Sequence, residues 1–322
     1  MHQGREKTGA VEASVILVSY NNLRATTVPC LESIFEKTSG DYEVICVDNF
    51  STDGTREYLK AASLKETRLK PILNETNRGF SGGNNDGIRA ARGKYIILLN
   101  NDTVVSRGWL KGLTAVLERD MQIGLVGPVS NAVGNEQRID IASEGLAEIL
   151  EEGRRWSTMS RGGIFETDML SFFCVATRRD VIERVGLLDE AFGPGYYEDD
   201  AYCIRTRKAG YRLVCAEDVF VYHSGGGSFS KGSSQNLISN NKKLLEDKLG
   251  VAYQPRHWRR KLIDIIEGDL DRAREMGLTP GLRYKLENRL QLLTKNKPKN
   301  LLKKTAFNWR MQKLKRAIAI LS

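Results

Sequence analysis

The chain is predicted to be an α/β protein: a single mostly parallel, Rossmann-like sheet with flanking helices, extended at its C-terminus by basic helices. Three observations carry this prediction. Short β-branched apolar runs alternate with helix-spaced segments through the first 128 residues. Polar clusters follow several of these runs, at the carboxyl ends of strands where an open α/β sheet binds its ligands. Beyond about residue 250 the strand-like runs stop, and helical spacing and positive charge take over.

In order, residues 14–19 (SVILVS) are a buried-type strand, followed by a helical pattern through Leu31, Ile34 and Phe35. A strand at 42–48 (YEVICVD), a helix in STDGTREYLKAA and a strand at 69–73 (LKPIL) come next. SGGNNDGIRAARG is a helix entered through glycines and closed by Gly93, and KYIILL (94–99) is a strand. A helix from about Ser106 to Arg119 and a strand at 123–128 (IGLVGP) complete this half. Residues 130–165 are polar and Gly-rich with weak periodicity and predict no element. From 168 the pattern firms again through MLSFFCVATRRDVIERVGLLDEAF, the helical YYEDDAYCIRTRKAG, and two strand runs, YRLVCA and VFVYH. SGGGSFSKGSS (224–234) is flexible by composition. The expected division is an N-terminal tail (1–13), a main α/β unit (14–250, halves 14–128 and 129–250) and a helical extension (251–322).

Of the 322 residues 41% are hydrophobic and 28% charged, as in ordinary globular proteins. No apolar run approaches the ~18–20 residues of a membrane span, and the opening MHQGREKTGAVEAS lacks the apolar core of a signal peptide. The five cysteines are scattered through apolar runs, the pattern of buried thiols in a reducing cytoplasm. The net charge of +9 is uneven: residues 251–322 hold 18 Lys and Arg against 6 Asp and Glu, a balance of +12, which leaves −3 for residues 1–250. The tail is therefore expected to meet something anionic. Its final segment mixes basic residues with Phe307, Trp309 and Leu321 in an amphipathic pattern. Two uses are expected for it: a peripheral anchor on an anionic membrane surface through 296–322, or a helical cap packed on the catalytic unit or a partner.

Five segments can carry chemistry. In VDNFSTDGT (47–55) Asp48 ends a strand and can accept a hydrogen bond from a nucleobase or ribose, whereas Asp53 and Thr55 suit a helix cap. NETNRGFSGGNNDGI (74–88) exposes backbone N–H groups at a strand-to-helix junction, which suits a diphosphate, with Arg78 adding charge. It matches neither the P-loop nor the dinucleotide spacing. NNDT (100–103) ends a strand with one acid, Asp102, which is either a cation ligand or a polar strand end. In YYEDD, Glu198, Asp199 and Asp200 open a helix, where the macrodipole alone favours acids. They equally suit a general base beside a cleft. His223 stands at a strand end before a glycine run, as a ligand or a structural histidine.

Taken in order, VILVSYNN, VDNFSTDGT, NRGFSGGNNDGI, LLNNDT, YYEDDAYCIRTRKAGYR and VYHSGGGS closely resemble the family 2 glycosyltransferases, in particular a rhamnosyltransferase-like branch, over residues 14 to 250. That resemblance implies the glycosyltransferase A-type, nucleotide-sugar-binding fold and transfer with inversion. Ser19, Tyr20 and Asn21 would border the nucleobase, Asp48 would bind base or ribose, and Arg78 and Asn84 would lie near the nucleotide. Asp102 would ligate Mg²⁺ or Mn²⁺ beneath the diphosphate with His223, and Asn101 would neighbour sugar or phosphate. Asp199 would be the catalytic base, supported by Glu198. Asn100 replaces the first acid of the family's Asp-x-Asp, and Ala201 replaces an acid many members carry, which leaves Asp200 as a second base candidate.

The implied reaction moves a sugar from a UDP- or dTDP-linked donor to a hydroxyl of a glycan or lipid-linked acceptor, in cell-surface polysaccharide synthesis. The expected location is cytoplasmic, at the inner face of the membrane if the tail anchors there. A nucleotidyltransferase acting on sugar phosphates is disfavoured, because SYNNLRATT stands where such enzymes carry a basic Gly-rich loop. A nucleic-acid-binding protein is the non-enzymatic alternative, prompted by the tail. The tail lacks a recognised motif and the main domain is slightly acidic, so no nucleic acid is expected.

Overall fold

Largely apolar runs at 13–19, 42–48 and 95–99 become strands buried on both faces, as a sheet sandwiched between helices requires. The computed structural model describes residues 11–225, 231–254, 257–298 and 300–321. Its first half runs β1 (Ala13–Ser19), α1 (Val28–Lys37), β2 (Tyr42–Asp48), α2 (Thr55–Lys65), β3 (Leu69–Leu73), α3 (Gly79–Ala90), β4 (Tyr95–Asn100), β5 (Thr103–Val105), α4 (Trp109–Arg119) and β6 (Ile123–Val129). There follow α5 (Leu146–Met159), β7 (Ile164–Thr167), β8 (Cys174–Arg178), α6 (Arg179–Val185), α7 (Glu198–Lys208) and β9 (Arg212–His223). Helices α8 (Lys231–Leu249), α9 (Trp258–Met276), α10 (Pro280–Lys295) and α11 (Leu301–Leu321) close the chain.

The sheet order is β3-β2-β1-β4-β8-β6-β9-β5, with β7 on β9. The predicted α/β class holds, and the sheet is mixed. Pairings β1–β2, β1–β4, β2–β3 and β6–β9 are parallel. β8 enters antiparallel between β4 and β6, and β9 takes β5 and β7 antiparallel. Because β1, β2 and β4 are parallel neighbours, the loops that follow them emerge at one edge.

Two structured segments were hidden in the region that predicted no element. Helix α5 buries only Ile149, Gly153 and Trp156, so its apolar stripe is thin, and β7 is a four-residue edge strand. The runs YRLVCA and VFVYH are one strand. It is interrupted in sequence by Glu217 and Asp218, where the register against β6 skips from Ala216 to Phe220. The stretch predicted to be flexible is helical from Lys231 onward, as the start of α8. Residues 226–230 lie outside the described residues.

The extension packs as a cap. Leu262, Ile266, Leu286, Leu293 and Phe307 share one apolar cluster with Trp156 of α5, Phe165 of β7 and Phe220 of β9. A buried charge group sits within it. Lys285 Nζ lies 2.9 Å from Glu217 Oε2, and Arg289 bonds both Glu217 and Asp269. Trp156 Nε1 donates to the Glu217 carbonyl at 2.7 Å. This pairing explains how a glutamate can stand in a central strand: its charge is matched by the extension. Phe307 is buried and Leu321 packs against the same cluster, so of the three residues expected at a membrane only Trp309 is openly exposed. Among the described residues no helix is long and apolar enough to cross a membrane.

Candidate active site

The loops after β1 and β2 are built around strained asparagines and short side-chain bridges. Asn21 and Asn22 adopt left-handed backbone angles (φ 57° and 58°), a conformation asparagine tolerates better than most residues. A π-helical turn, Leu23–Thr27, follows, and its first N–H is taken by Asp53 Oδ2 at 2.8 Å. Asn21 N donates to Ser51 Oγ (2.8 Å), and Asn21 Oδ1 accepts from Thr52 N (2.9 Å). The two loops are thereby one unit. Asp53 also receives Thr55 N–H at 3.2 Å, so it serves both the turn and the start of α2.

A cavity of about 750 Å³ opens beyond this unit. Tyr20, Asn84, Asn101, Asp102, Glu198, Asp199 and His223, each singled out from sequence, line it together with Asn100 and Asp200. Ser19, Asn21, Asp48 and Arg78 stand outside its lining, each committed to neighbours. Ser19 bonds Thr27 at 2.7 Å. Asp48 is buried, accepts Ser51 N and pairs with Arg56 at 3.1 Å. Arg78 pairs with Asp86 (3.3 Å) and Glu190 (3.0 Å). Asn101 donates to Thr26 and Thr27, at 3.1 and 3.0 Å, and so ties the end of β4 to the turn after β1. Asn84 donates to the Phe80 carbonyl at 2.9 Å, one turn back in α3.

Sequence reasoning missed Asn49. It lines the cavity, donates to the Gly79 carbonyl at 2.8 Å and accepts from Asn74 at 3.1 Å. Its signal was its place beside Asp48 at a strand end. Gly79 shows why glycine opens α3: its φ is +68°, and a Cβ there would lie 2.2 Å from the Gly193 carbonyl oxygen.

The pairing of Thr103 with His223, in antiparallel β5–β9, brings Asp102 beside the histidine. Asp102 Oδ1 is 3.2 Å from His223 Nε2, and Ser224 Oγ donates to Asp102 Oδ2 at 3.0 Å. His223 Nδ1 is 2.7 Å from the Ala132 carbonyl, which makes it the N–H bearer and turns Nε2 to the cavity. The ring stacks on Phe173 with centroids 5.2 Å apart. Burial by itself would depress the imidazole pKa. The hydrogen bond and charge of Asp102, with the Ala132 carbonyl, outweigh it and leave the pKa raised.

One carboxylate and one imidazole suit a cation that keeps most of its sites for phosphate oxygens and water, as Mg²⁺ and Mn²⁺ do. Adjacent ligands at about 2.1 Å from an octahedral ion stand about 3 Å apart, close to the Asp102–His223 separation. The donor set therefore fits. Among the described residues no cluster of three or more His, Cys, Asp or Glu could hold an ion by protein alone.

The acids open α7 behind two strained tyrosines, Tyr196 and Tyr197, with φ of 73° and 72°. Such backbone costs on the order of 1–3 kcal/mol per residue and persists only where the surroundings hold it. The hold comes from α8. Asn241 Nδ2, buried, donates to the carbonyls of Phe192 (2.7 Å), Gly195 (2.8 Å) and Tyr196 (3.1 Å). The Tyr253 hydroxyl donates to Asp200. Neither contact was legible in the sequence, because Asn241 follows a stretch that looked unstructured.

Burial raises all three acids. Glu198, only 8% exposed, is pushed up to about 7 by burial and then by the charge of Asp200, and its Oε2 is buried without a hydrogen-bond partner. Asp199 is driven well above the usual carboxylate range by burial, then by Glu198 and Asp200. Asp200 rises through burial, opposed by the Tyr253 hydroxyl. Three acids this close share protons, so a carboxylate that accepts one near neutral pH is built into the cavity wall.

The mixed α/β sheet with flanking helices has the glycosyltransferase A-type fold, and its strand-end loops meet a carboxylate–imidazole pair and a helix-mounted acid group. The model of the "Glycosyl transferase family 2" family matches residues 14–186, and the chain belongs to that family. An uncharacterized glycosyltransferase, alr2836, of a Nostoc species is 30% identical over 190 residues, 56% of this chain and 54% of that protein. The amylovoran biosynthesis glycosyltransferase AmsB of Erwinia amylovora is 26% identical over 70% of this chain and 74% of its own. The chain thus spans about half the length of the Nostoc relative, and only 26% and 32% of two others.

Two solved structures share the fold at low identity. GalNAc-T7, solved with UDP, GalNAc and Mn²⁺, superposes with a TM-score of 0.58 at 17% identity, over 74% of this chain and 48% of that one. The mannosyltransferase PcManGT of Pyrobaculum calidifontis, in complex with GDP-Man and Mn²⁺, gives 0.51 at 17% identity, over 97% of this chain and 87% of that one.

Proposed function

We propose that the chain is a metal-dependent, inverting glycosyltransferase. It moves a hexosyl or rhamnosyl group from a UDP- or dTDP-linked donor to a hydroxyl of a glycan or lipid-linked acceptor, in cell-surface polysaccharide synthesis. The observation that supports this most is that Asp102 and His223 face the same cavity as Asp199. Two groups that a displacement needs on opposite sides of the anomeric carbon then flank one space. The relationship to AmsB favours a polysaccharide role, and the Mn²⁺ and nucleotide-sugar ligands of GalNAc-T7 and PcManGT favour the donor class and cation.

Asp102 and His223 would hold the cation, Mg²⁺ or Mn²⁺, whose chemistry is to neutralise the charge that builds on the departing diphosphate. The chain's own residues do the rest. Tyr20, Asn49 and Asn84 border the donor, with Asp48 and Arg56 fixing the loop beneath it. Asp199 takes the acceptor hydroxyl proton as that oxygen bonds the anomeric carbon. The bond to the diphosphate oxygen breaks with its electron pair leaving on the diphosphate, and a single displacement inverts the centre. General-base assistance of this kind is typically worth ~10²–10⁴-fold. Burial and the charges of Glu198 and Asp200 raise Asp199, which makes its ionised form a stronger base for the acceptor proton. A lipid-linked acceptor would be met at an anionic membrane surface, and residues 296–322 carry eight basic residues and no acid.

The test is release of nucleoside diphosphate from a panel of UDP-, dTDP- and GDP-sugars, with Mn²⁺ and with chelator. The proposal expects turnover of a UDP- or dTDP-sugar that EDTA stops and Mn²⁺ restores. Full activity in chelator, or release of pyrophosphate instead, would contradict it.

A further inference from the structure

Helix α11 has two faces of opposite character. Phe307, Met311, Leu314 and Ile318, spaced by four, three and four residues, are buried on the face toward α9 and α10. Trp309, Lys313, Arg316 and Ile320 repeat that spacing two positions along, about 200° around the helix, and are all exposed. Trp309 is 64% exposed and Ile320 84%, among the most exposed large apolar side chains of the protein. Lys304 and Lys315 are exposed too, about 120–140° around the helix from this stripe. Among the described residues, Lys304, Lys313, Lys315 and Arg316 have no ion-pair partner, whereas Arg310 pairs with Glu267. No acid occurs between residues 296 and 322 to neutralise them.

We infer that this outer face of α11 docks on an anionic lipid surface, with Trp309 and Ile320 entering the headgroup boundary and Lys313 and Arg316 between them meeting lipid phosphates. The inference deepens the lipid-linked acceptor reading above and rests on it only for its purpose, not for its chemistry. Charge complementarity selects the occupant. The core of a protein–protein interface is depleted in lysine, and here the stripe between two apolar ends is wholly basic. A tryptophan and a bare aliphatic side chain on one basic helix face are the composition of a helix that lies in a membrane interface. The stripe from Trp309 to Ile320 runs about 16 Å along the helix, so it would lie flat. The inward face is already satisfied by the core, so docking needs no unfolding of the cap.

Each basic residue near an anionic surface is worth roughly fivefold in partitioning, about 1 kcal/mol. The full chain is tested by co-sedimentation with phosphatidylcholine vesicles, with and without one-third phosphatidylglycerol, alongside turnover on a soluble acceptor. Binding is expected only to the anionic vesicles and weakens as salt rises. Lys313→Glu with Arg316→Glu lowers it by about 25-fold or more, and Trp309→Ala lowers it several-fold, while the melting temperature and soluble turnover stay at wild-type values. Equal binding to neutral vesicles, binding untouched by these substitutions, or retention of DNA in preference to vesicles through the same residues would overturn the inference. Vesicle binding without any sugar transfer would leave the surface standing and sink the transferase reading. Transfer without vesicle binding would do the reverse.

Discussion

His223 Nε2 lies 3.2 Å from Asp102 Oδ1, joined by the pairing of a three-residue strand with the end of the longest one. Under the proposed reading this contact is how a site with Asn100 in place of an acid would hold a cation: the second ligand would come from β9, not from β4. Asp102→Ala is therefore expected to lower transfer by more than about a hundredfold, beyond the 10–100-fold typical of losing an outer support of a metal ligand. Asn100→Ala should cost far less. Rates at saturating Mn²⁺ for the two variants check this, and equal losses would contradict it.

The acids at the start of α7 set a pH dependence whose sign is fixed by burial. Glu198 ionises near pH 7 in the folded chain against 4.5 for an ordinary glutamate. Between those values the folded state binds the proton and the unfolded state does not, so stability falls as pH rises through this window. Glu198→Gln should make that slope shallower, Asp199 and Asp200 keeping their share, and melt higher than the parent at pH 8, with the difference vanishing below pH 4.5. Because burial and the neighbouring acids raise Asp199 as well, turnover should climb with pH above the ordinary carboxylate range. A flat melting profile for both proteins would refute the burial argument.

Asn241 and Tyr253 hold the strained entry to α7 from outside the cavity. Asn241→Ala releases three carbonyls and should cost about 1–3 kcal/mol of stability. It should also lower kcat more than KM, because the acids lose their placement while the donor loops are untouched. Tyr253→Phe keeps the packing but removes the hydroxyl that opposes the rise of Asp200. Its pH–rate profile should move to higher pH, a shift that a purely structural role would not produce.

The buried charges beneath β9 give a separate stability prediction. Arg289 is sunk between Glu217 and Asp269, so Arg289→Met leaves two carboxylates short of a partner. A loss of about 3–5 kcal/mol is expected by denaturant unfolding. A change below about 1 kcal/mol would mean the extension contributes little to the fold.

Much of the α/β core was legible because β1, β2, β4 and β6 are mostly apolar runs, and the polar residues after β1, β2 and β4 stand where the cavity opens. What was not legible has physical causes. Glu217 splits β9 into two apparent strands, because its partners Lys285 and Arg289 lie in a distant helix. The thin apolar faces of α5 and β7 left no periodicity to read. At the site, residue type alone could not tell a side chain that faces the cavity from one committed to a neighbour. Asp48 and Arg78 carry the charge a ligand would want, but the first is held by Arg56 and the second by Asp86 and Glu190. Asn49 has no charge and lines the cavity. The Asp102–His223 contact depends on strand pairing, which a single sequence does not print.

The central claim is that Asp199 takes the acceptor proton in an inverting displacement. Its most direct test is the rate of nucleoside diphosphate release by Asp199→Asn at saturating donor and acceptor, with donor-induced thermal stabilisation measured on the same sample. Normal stabilisation by donor and a rate lower by at least about 10²-fold are expected. A rate within a few-fold of the parent, with donor bound, would contradict it.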